Sequence, residues 1–236
     1  KAKRKRKACF SAIALICLIG ISGCDELFSS TQPGQDHLML GNPSGAGVEP
    51  NNYLMIKPQY ALSYNRDRAT ANWVSWQLNE SWLGSTKRQD DFREDQTLPQ
   101  GWHQVDGNDY RGSGYDRGHL VPSGDRTANE TDNSATFLMT NIIPQTPDNN
   151  REPWRELEEY CRRLVRQGKE LYIVAGVYQN REDIADGEVV APRRTWKVVV
   201  VLDKPGTGVN GISDNTRVIA VDVPNHLRVN DDWRTY

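Results

Sequence analysis

The sequence has one clear helical pattern set among several strand patterns, and this combination limits the folds open to it. The helical pattern is a stripe of apolar residues at helical spacing: Trp154, Leu157, Cys161, Leu164 and Val165. We expect this amphipathic helix to end near Gly168. Runs rich in β-branched and aromatic residues predict strands at 53–56, 60–64, 72–78, 137–143, 171–177, 196–202 and 218–223. Strands and helices do not alternate regularly, so we predict an α+β fold with a mainly antiparallel sheet.

The first 24 residues predict an export signal rather than a part of this fold. Positions 1–7 carry six basic side chains, and an apolar run at 8–21 follows that is too short for a permanent transmembrane helix. The segment ends in Ile21-Ser22-Gly23-Cys24, which resembles the lipobox of bacterial lipoproteins and also fits ordinary cleavage. We therefore expect an exported protein, either secreted, periplasmic or lipid-anchored. Membrane contact is expected only through an anchor at Cys24.

Residues 25–52 are rich in Ser, Gly, Pro, Asn and Asp, and they predict a polar tether that includes His37. The folded domain is then expected at 53–236. Loss of the six basic residues in the signal would leave 23 Lys and Arg against 31 Asp and Glu, a balance of about −8. A chain with this charge cannot bind nucleic acid through a general positive field, so tight non-specific packaging is disfavoured. Any nucleic-acid site must concentrate its cations locally or let a metal supply the positive charge.

The run Asp116-Arg117-Gly118-His119 places a carboxylate, a guanidinium and an imidazole within four positions. Further along, Asn150, Glu158 and Arg162 share one sector of the predicted helix, since Glu158 lies about 40° from Arg162 and about 80° from Asn150 at roughly 100° per residue. Together the two elements suit metal-assisted phosphoryl chemistry. From the residues alone, however, a helix cap at Asn150 and an exposed Glu158–Arg162 pair are the simpler interpretation.

The DRGH element at 116–119, the stretch TNIIPQ at 140–145 and the helix 150–162 resemble the DNA/RNA non-specific endonucleases of the ββα-metal (His-Me finger) group. The resemblance runs from about Leu38 to the end of the chain and is strongest to secreted bacterial members. It implies a sugar-non-specific endonuclease that hydrolyses DNA and RNA, leaves 5′-phosphate ends and uses one Mg²⁺ or Mn²⁺. Some relatives have proteinaceous inhibitors, so such a partner is expected as a candidate. Relatives usually continue past the position of Tyr236, so we expect a C-terminally shortened, less stable chain.

The resemblance implies three central roles. His119 would be the general base that activates water, and Asn150 would be the direct protein ligand of the metal. Glu158 would orient metal-bound water without touching the ion. With an imidazole pKa near neutrality, His119 is expected to accept a proton at ordinary pH without a strongly perturbed environment. A single neutral amide ligand would leave most of the ion's coordination to water and phosphate.

The resemblance implies supporting roles for further polar residues. Arg162 would hold the scissile phosphate, and Arg88 matches the family's upstream phosphate-binding arginine. Arg117 and Asn141 would support the site, while Asp116 would fix local structure. Two other classes stay open from the sequence. One is a nuclease-like surface lipoprotein that captures nucleic acid without cutting it, and the other is a structural lipoprotein without activity.

Overall fold

The computed structural model describes residues 35–236. The predicted export signal at 1–24, with Cys24, lies outside the described residues. Eight strands are present in this part of the chain: β1 Tyr53–Ile56, β2 Ala61–Asn65, β3 Thr70–Leu78, β4 Asp116–His119, β5 Ile142–Gln145, β6 Glu170–Ile184, β7 Val189–Leu202 and β8 Arg217–Pro224. Six of them form one sheet in the order β1-β2-β3-β6-β7-β8, and every neighbouring pair is antiparallel. The predicted α+β class with an antiparallel sheet is confirmed.

A second, two-stranded sheet carries the DRGH element. β4 pairs antiparallel with β5, so that Arg117 lies opposite Pro144 and His119 opposite Ile142. The strand predicted at 137–143 is wrong in its first half, because Met139–Asn141 form a 3₁₀ turn and β5 begins only at Ile142. At this turn the buried side chain of Asn141 bonds the backbone of Val121, as local side-chain bonds that compete with regular strand structure do.

The helical segment that follows β5 has an irregular first turn. It consists of α2 Pro147–Asn149 and α3 Arg155–Arg166, which are joined by a π-helical turn at Asn150–Trp154. The short helix α1, Glu130–Ala135, lies earlier in the chain. Pro153 lies inside the π turn. Proline has no N–H and its ring collides with the carbonyl four residues earlier, which explains why the regular α pattern opens here. The regular α geometry expected between Asn150 and Glu158 is therefore wrong in this turn.

Helix α3 packs its apolar stripe against the large sheet. Trp154, Leu157, Cys161, Leu164 and Val165 are all buried in the main core cluster. The helix ends close to Gly168, whose φ of +84° suits glycine after a helix C-terminus. No helix between residues 35 and 236 has the length and apolar character needed to cross a bilayer.

The second half of the predicted tether packs on the sheet. Residues Gln35–Leu38 form a 3₁₀ turn, and the His37 side chain is only 2% exposed. His37 Nε2 donates to the Pro58 carbonyl at 2.9 Å, and its Nδ1 accepts from the Gln77 amide at 3.2 Å. The assignment of His37 to a tether was wrong, because short polar segments can be held by hydrogen bonds that composition does not reveal.

Candidate active site

A cleft of about 540 Å³ lies where β4 meets the helical segment after β5. Six of the residues singled out by the sequence line it: Arg88, Arg117, His119, Asn150, Glu158 and Arg162. The other two do not reach it, since Asn141 is fully buried and Asp116 faces an adjoining cleft. The fold thus brings together side chains that come from a loop, a strand and a helix.

His119 stands at the end of β4 with its ring between two phenylalanines. The ring centroid lies 5.4 Å from that of Phe92 and 4.9 Å from that of Phe137. Its Nε2 is buried and has no hydrogen-bond partner among the described residues. Burial, with smaller effects of Arg88 and Arg117, lowers the pKa of His119 to about 3. The expected near-neutral pKa was wrong, because the sequence gives no sign that aromatic rings enclose this imidazole.

Two buried contacts fix the backbone around His119. Trp154 Nε1 donates to the His119 carbonyl at 3.1 Å, which ties the helical segment to β4. Asn141 accepts from the Val121 amide at 2.9 Å and donates to the carbonyls of Val121 and Thr136 at 2.9 and 2.8 Å. Asn141 therefore braces the chain just after His119 from behind the cleft.

Asn150 is oriented by the aspartate of the DRGH element. Its Nδ2 donates to Asp116 Oδ2 at 2.9 Å, and Arg151 donates to both oxygens of the same carboxylate at 2.8 and 2.7 Å. Burial opposes ionisation of Asp116, but these hydrogen bonds outweigh it and hold the pKa of Asp116 below its ordinary value. Since an ionised carboxylate only accepts, the amide nitrogen must face Asp116. The amide oxygen of Asn150 is then left for the cleft.

The oxygen donors in the cleft suit a hard divalent cation. Nowhere in residues 35–236 do three or more His, Cys, Asp or Glu side chains converge as a metal-binding group. A closed zinc or calcium cage needs several such ligands, whereas Mg²⁺ commonly takes one or two protein oxygens and keeps its waters. The Asn150 amide oxygen, with the Glu158 carboxylate nearby in the same cleft, fits an ion of the second kind.

Glu158 belongs to a buried group of charges. Burial raises the pKa of Glu158 to about 7, although Lys197 and Arg162 act in the opposite direction. Lys197 Nζ lies 3.7 Å from Glu158 Oε1 and 4.0 Å from the centroid of the Trp154 ring. The lysine side chain is 1% exposed. Lys197 is not among the predicted site residues, since a lysine within a strand pattern carries no mark of burial.

Arg162 is held by Asp125, a second residue that was not predicted from the sequence. Arg162 Nη1 donates to Asp125 Oδ1 at 2.9 Å, and Trp76 Nε1 donates to Asp125 Oδ2 at 3.0 Å. The Asp125 side chain is 1% exposed. Gly124 makes room for the guanidinium, since a Cβ there would lie 2.9 Å from Arg162 Nη1. Asp125 thus fixes one edge of Arg162 while the side chain still lines the cleft.

The other two predicted arginines are held differently. Arg88 donates to Asp90 at 2.6 Å and to Ser123 Oγ at 3.1 Å, with its guanidinium 4.7 Å from the centroid of Phe137. Arg117 lies 4.0 Å above the centroid of Phe92. Its guanidinium has no hydrogen bond or ion pair to any residue of the described part of the chain. All its donors are left for a ligand.

The cleft is strongly basic although the chain is slightly acidic. Its described lining includes five arginines and two glutamates; the arginines missed by the sequence analysis are Arg151 and Arg155. Their position beside Asn150 on the helix could have indicated them. The expectation that cations are concentrated locally is therefore confirmed by the lining.

The order β4, β5 and helix, with a histidine on the strand and an asparagine on the helix, defines a ββα-metal nuclease. A solved structure of EndoG in complex with EndoGI has this fold, with a TM-score of 0.70 and 26% identity over 86% of this chain and 83% of that one. The profile of DNA/RNA non-specific endonucleases matches residues 42–236. This chain belongs to the DNA/RNA non-specific endonuclease family, whose members are hydrolytic endonucleases.

Named relatives agree with this assignment. A nuclease of Nostoc sp. is 58% identical over 233 residues, which cover 94% of this chain and 84% of that protein. Human mitochondrial endonuclease G is 31% identical over 162 residues, or 63% of this chain and 54% of that protein. The mitochondrial nuclease EXOG of Danio rerio is 31% identical over 180 residues, with 70% and 50% covered. The chain thus spans about half the length of these mitochondrial relatives.

Proposed function

We propose that this protein hydrolyses DNA and RNA at phosphodiester bonds without regard to base sequence, with His119 as the base and one Mg²⁺ or Mn²⁺ ion. The observation that carries the proposal is the convergence of His119, Asn150 and Glu158 with basic side chains on one cleft. A base, an oxygen ligand and fixed cations are the groups that hydrolysis of a phosphodiester requires.

His119 would take a proton from the attacking water. Its low pKa keeps the imidazole neutral at ordinary pH, so that a ring nitrogen can accept. The water oxygen bonds to phosphorus as its proton passes to the imidazole, and the bond from phosphorus to the 3′-oxygen breaks. The products are a 5′-phosphate and a 3′-hydroxyl, which gains a proton from solvent. The negative charge of the bound phosphate beside the ring would raise the pKa of His119 in the substrate complex, where the imidazole accepts the proton.

Asn150 would bind the metal directly and Glu158 would do so through water. The ion would offset charge on the scissile phosphate and on the leaving oxygen. Asp116 and Arg151 would keep the amide oxygen of Asn150 directed at the cleft through the hydrogen bonds described above. Lys197 would hold the Glu158 carboxylate in place from behind.

The arginines would bind phosphate oxygens. Arg162, Arg88 and Arg117 supply fixed charge and paired donors in the geometry that phosphate prefers. The aromatic rings beside them are covered, since Arg117 lies on Phe92 and Arg88 on Phe137. These rings are therefore poorly placed to stack on bases. Contacts confined to the backbone carry no sequence information, so we expect cleavage without base preference.

The test compares His119→Ala with His226→Ala, an exposed histidine outside the cleft. Purified proteins are assayed on plasmid DNA and on RNA with millimolar Mg²⁺ or Mn²⁺, and folding is verified by circular dichroism. We expect His119→Ala to lose about 100-fold or more of turnover while it still binds DNA, since general-base catalysis contributes about that much. His226→Ala should retain full activity. Failure of the folded wild-type protein to cut either nucleic acid would end the proposal.

Two further measurements examine the metal and the products. Asn150→Ala should need a higher Mg²⁺ concentration for half-maximal activity than the wild type, and excess EDTA should stop cleavage in both. Fragments should be joined by a DNA ligase without prior treatment by a kinase, because they carry 5′-phosphates. Ligation only after kinase treatment would contradict the proposed bond cleavage.

We also propose export, on the strength of the basic and apolar segments at 1–24, with Cys24 either as a lipid-attachment site or at an ordinary cleavage site. Fractionation of a bacterial culture that expresses the wild type or Cys24→Ala would test both points.

A proteinaceous inhibitor is proposed as a partner because the EndoG neighbour was solved in an inhibited complex with EndoGI. Inhibition of wild-type cleavage by such a protein, with weaker binding of that protein when the cleft arginines are replaced, would support it.

A further inference from the structure

The candidate active site opens into a second cleft of about 540 Å³ on the far side of Asn150 and Arg117. The two clefts share three lining residues, namely Arg88, Arg117 and Asn150. A strand bound with its scissile phosphate beside His119 and Asn150 would therefore continue directly into the second cleft. None of the roles assigned so far uses Arg111, which lines this second cleft and not the first.

The second cleft carries positive charge that protein groups do not neutralise. Its carboxylates are already engaged, since Asp90 pairs with Arg88 at 2.6 Å and Asp116 pairs with Arg151 at 2.7 Å. The guanidinium groups of Arg111 and Arg117 make no hydrogen bond or ion pair within residues 35–236. Two arginines in one cleft without acceptors are typical of an anion site, because the geometry of each suits a phosphate.

Both arginines are supported by their surroundings. Arg117 lies flat on the Phe92 ring, and a Cβ at Gly107 would come within 3.1 Å of its Nη1, so the loop backbone approaches the guanidinium closely. Arg111 follows a turn closed by its own amide, which donates to the Asn108 carbonyl at 2.9 Å. The Asp106 side chain accepts from the Asn108 amide at 2.6 Å in the same turn. The loop thus presents Arg111 at the wall of the cleft.

We propose that the second cleft binds the phosphodiester next to the scissile one on the same strand, with Arg111 as its principal cation and Arg117 shared between the two phosphates. This inference rests on the proposed function of the first cleft. The ligand is the sugar-phosphate backbone of DNA or RNA, since each guanidinium offers paired donors in the geometry that a phosphate accepts. Arg111 is therefore a binding residue for substrates with two or more phosphodiesters, and a dinucleotide leaves it unused.

The test compares Arg111→Gln with Arg166→Gln in the full chain. Arg166 is an exposed arginine in the last turn of α3 that lines neither cleft, so its replacement removes the same charge elsewhere. Binding of a fluorescent 12-mer DNA and a 12-mer RNA is measured by anisotropy in EDTA at several salt concentrations, with a dinucleotide as competitor. Steady-state cleavage of the 12-mer is measured separately with Mg²⁺.

We expect Arg111→Gln to raise the Kd for both 12-mers about fivefold to tenfold and to reduce the salt dependence of binding by about one phosphate contact. The dinucleotide should compete equally well for both variants, and kcat on the 12-mer should be unchanged while KM rises. A Kd for Arg111→Gln equal to that for Arg166→Gln would overturn the inference. So would equal weakening of the dinucleotide, which would place Arg111 at the scissile phosphate. Since binding is read in EDTA, these outcomes are distinguishable from a failure of cleavage by the wild type.

Discussion

Replacement of Asp125 by asparagine removes the charge that holds Arg162 while it keeps the shape of the side chain. Asp125 is 1% exposed and Arg162 is 14% exposed, and the two are joined at 2.9 Å. Asparagine can still accept from Trp76 Nε1 through its amide oxygen. The substitution therefore isolates the ion pair from the rest of the packing. It leaves one uncompensated positive charge in the buried group formed by Arg162, Glu158 and Lys197.

The size of the effect follows from this burial. Removal of one partner from a buried ion pair costs about 3–5 kcal/mol, because the other charge stays out of water without compensation. Here Glu158 compensates Arg162 in part, since it acts on the pKa of Arg162 in the same direction as Asp125. We therefore expect the lower end of the range, about 3 kcal/mol in the free energy of unfolding. For a domain of this size that is a fall of about 6–12 °C in Tm.

Thermal and urea unfolding of Asp125→Asn and Asp203→Asn form the matched comparison. Asp203 pairs with Lys169 at 2.8 Å, but its side chain is 84% exposed, so loss of this pair should cost about 0–1 kcal/mol. Asp125→Asn should also lower kcat, since Arg162 loses its fixed position. Equal Tm values for the two variants would show that the Asp125–Arg162 pair does not stabilise the fold and would refute the reasoning.

Three other perturbations probe the fold around the site. Asn141→Ala removes three buried hydrogen bonds to Val121 and Thr136 and should cost about 3 kcal/mol or more in urea unfolding; a change below about 1 kcal/mol would contradict the bracing role. Gly118→Ala should prevent soluble expression or greatly lower Tm, because the new Cβ would lie 2.6 Å from the Cβ of Gln145. For His37, burial and then Arg126 lower the pKa to about 4 in the folded protein, so the unfolded chain binds more protons below about pH 6.5. The stability that neutral His37 contributes is present above pH 6.5 and declines by about 3 kcal/mol as the pH falls to about 4. His37→Gln should show a shallower decline of the free energy of unfolding with pH. A pH profile of His37→Gln equal to that of the wild type would refute this.

Several parts of the fold were predictable because they depend on local pattern. The apolar stripe from Trp154 to Val165 identified α3, and β-branched runs identified most of the large sheet. The exceptions were segments whose shape is decided by single side chains. Asn141 turns the chain where a strand was expected, Pro153 opens a π turn, and His37 anchors a stretch with the composition of a tether.

The sequence by itself determined the family, the order of its elements and half of the residues that line the candidate active site, because a short motif and periodic burial are properties of neighbouring residues. Only the tertiary structure decided which charges lie together at the buried base of the cleft. Asp125 reaches Arg162 across 37 positions and Lys197 lies beside Glu158 from a separate strand. Burial beside the rings of Phe92 and Phe137, with smaller effects of Arg88 and Arg117, lowers the pKa of His119. Electrostatic strength depends on distance and on exclusion from water, and neither quantity exists before the chain has folded.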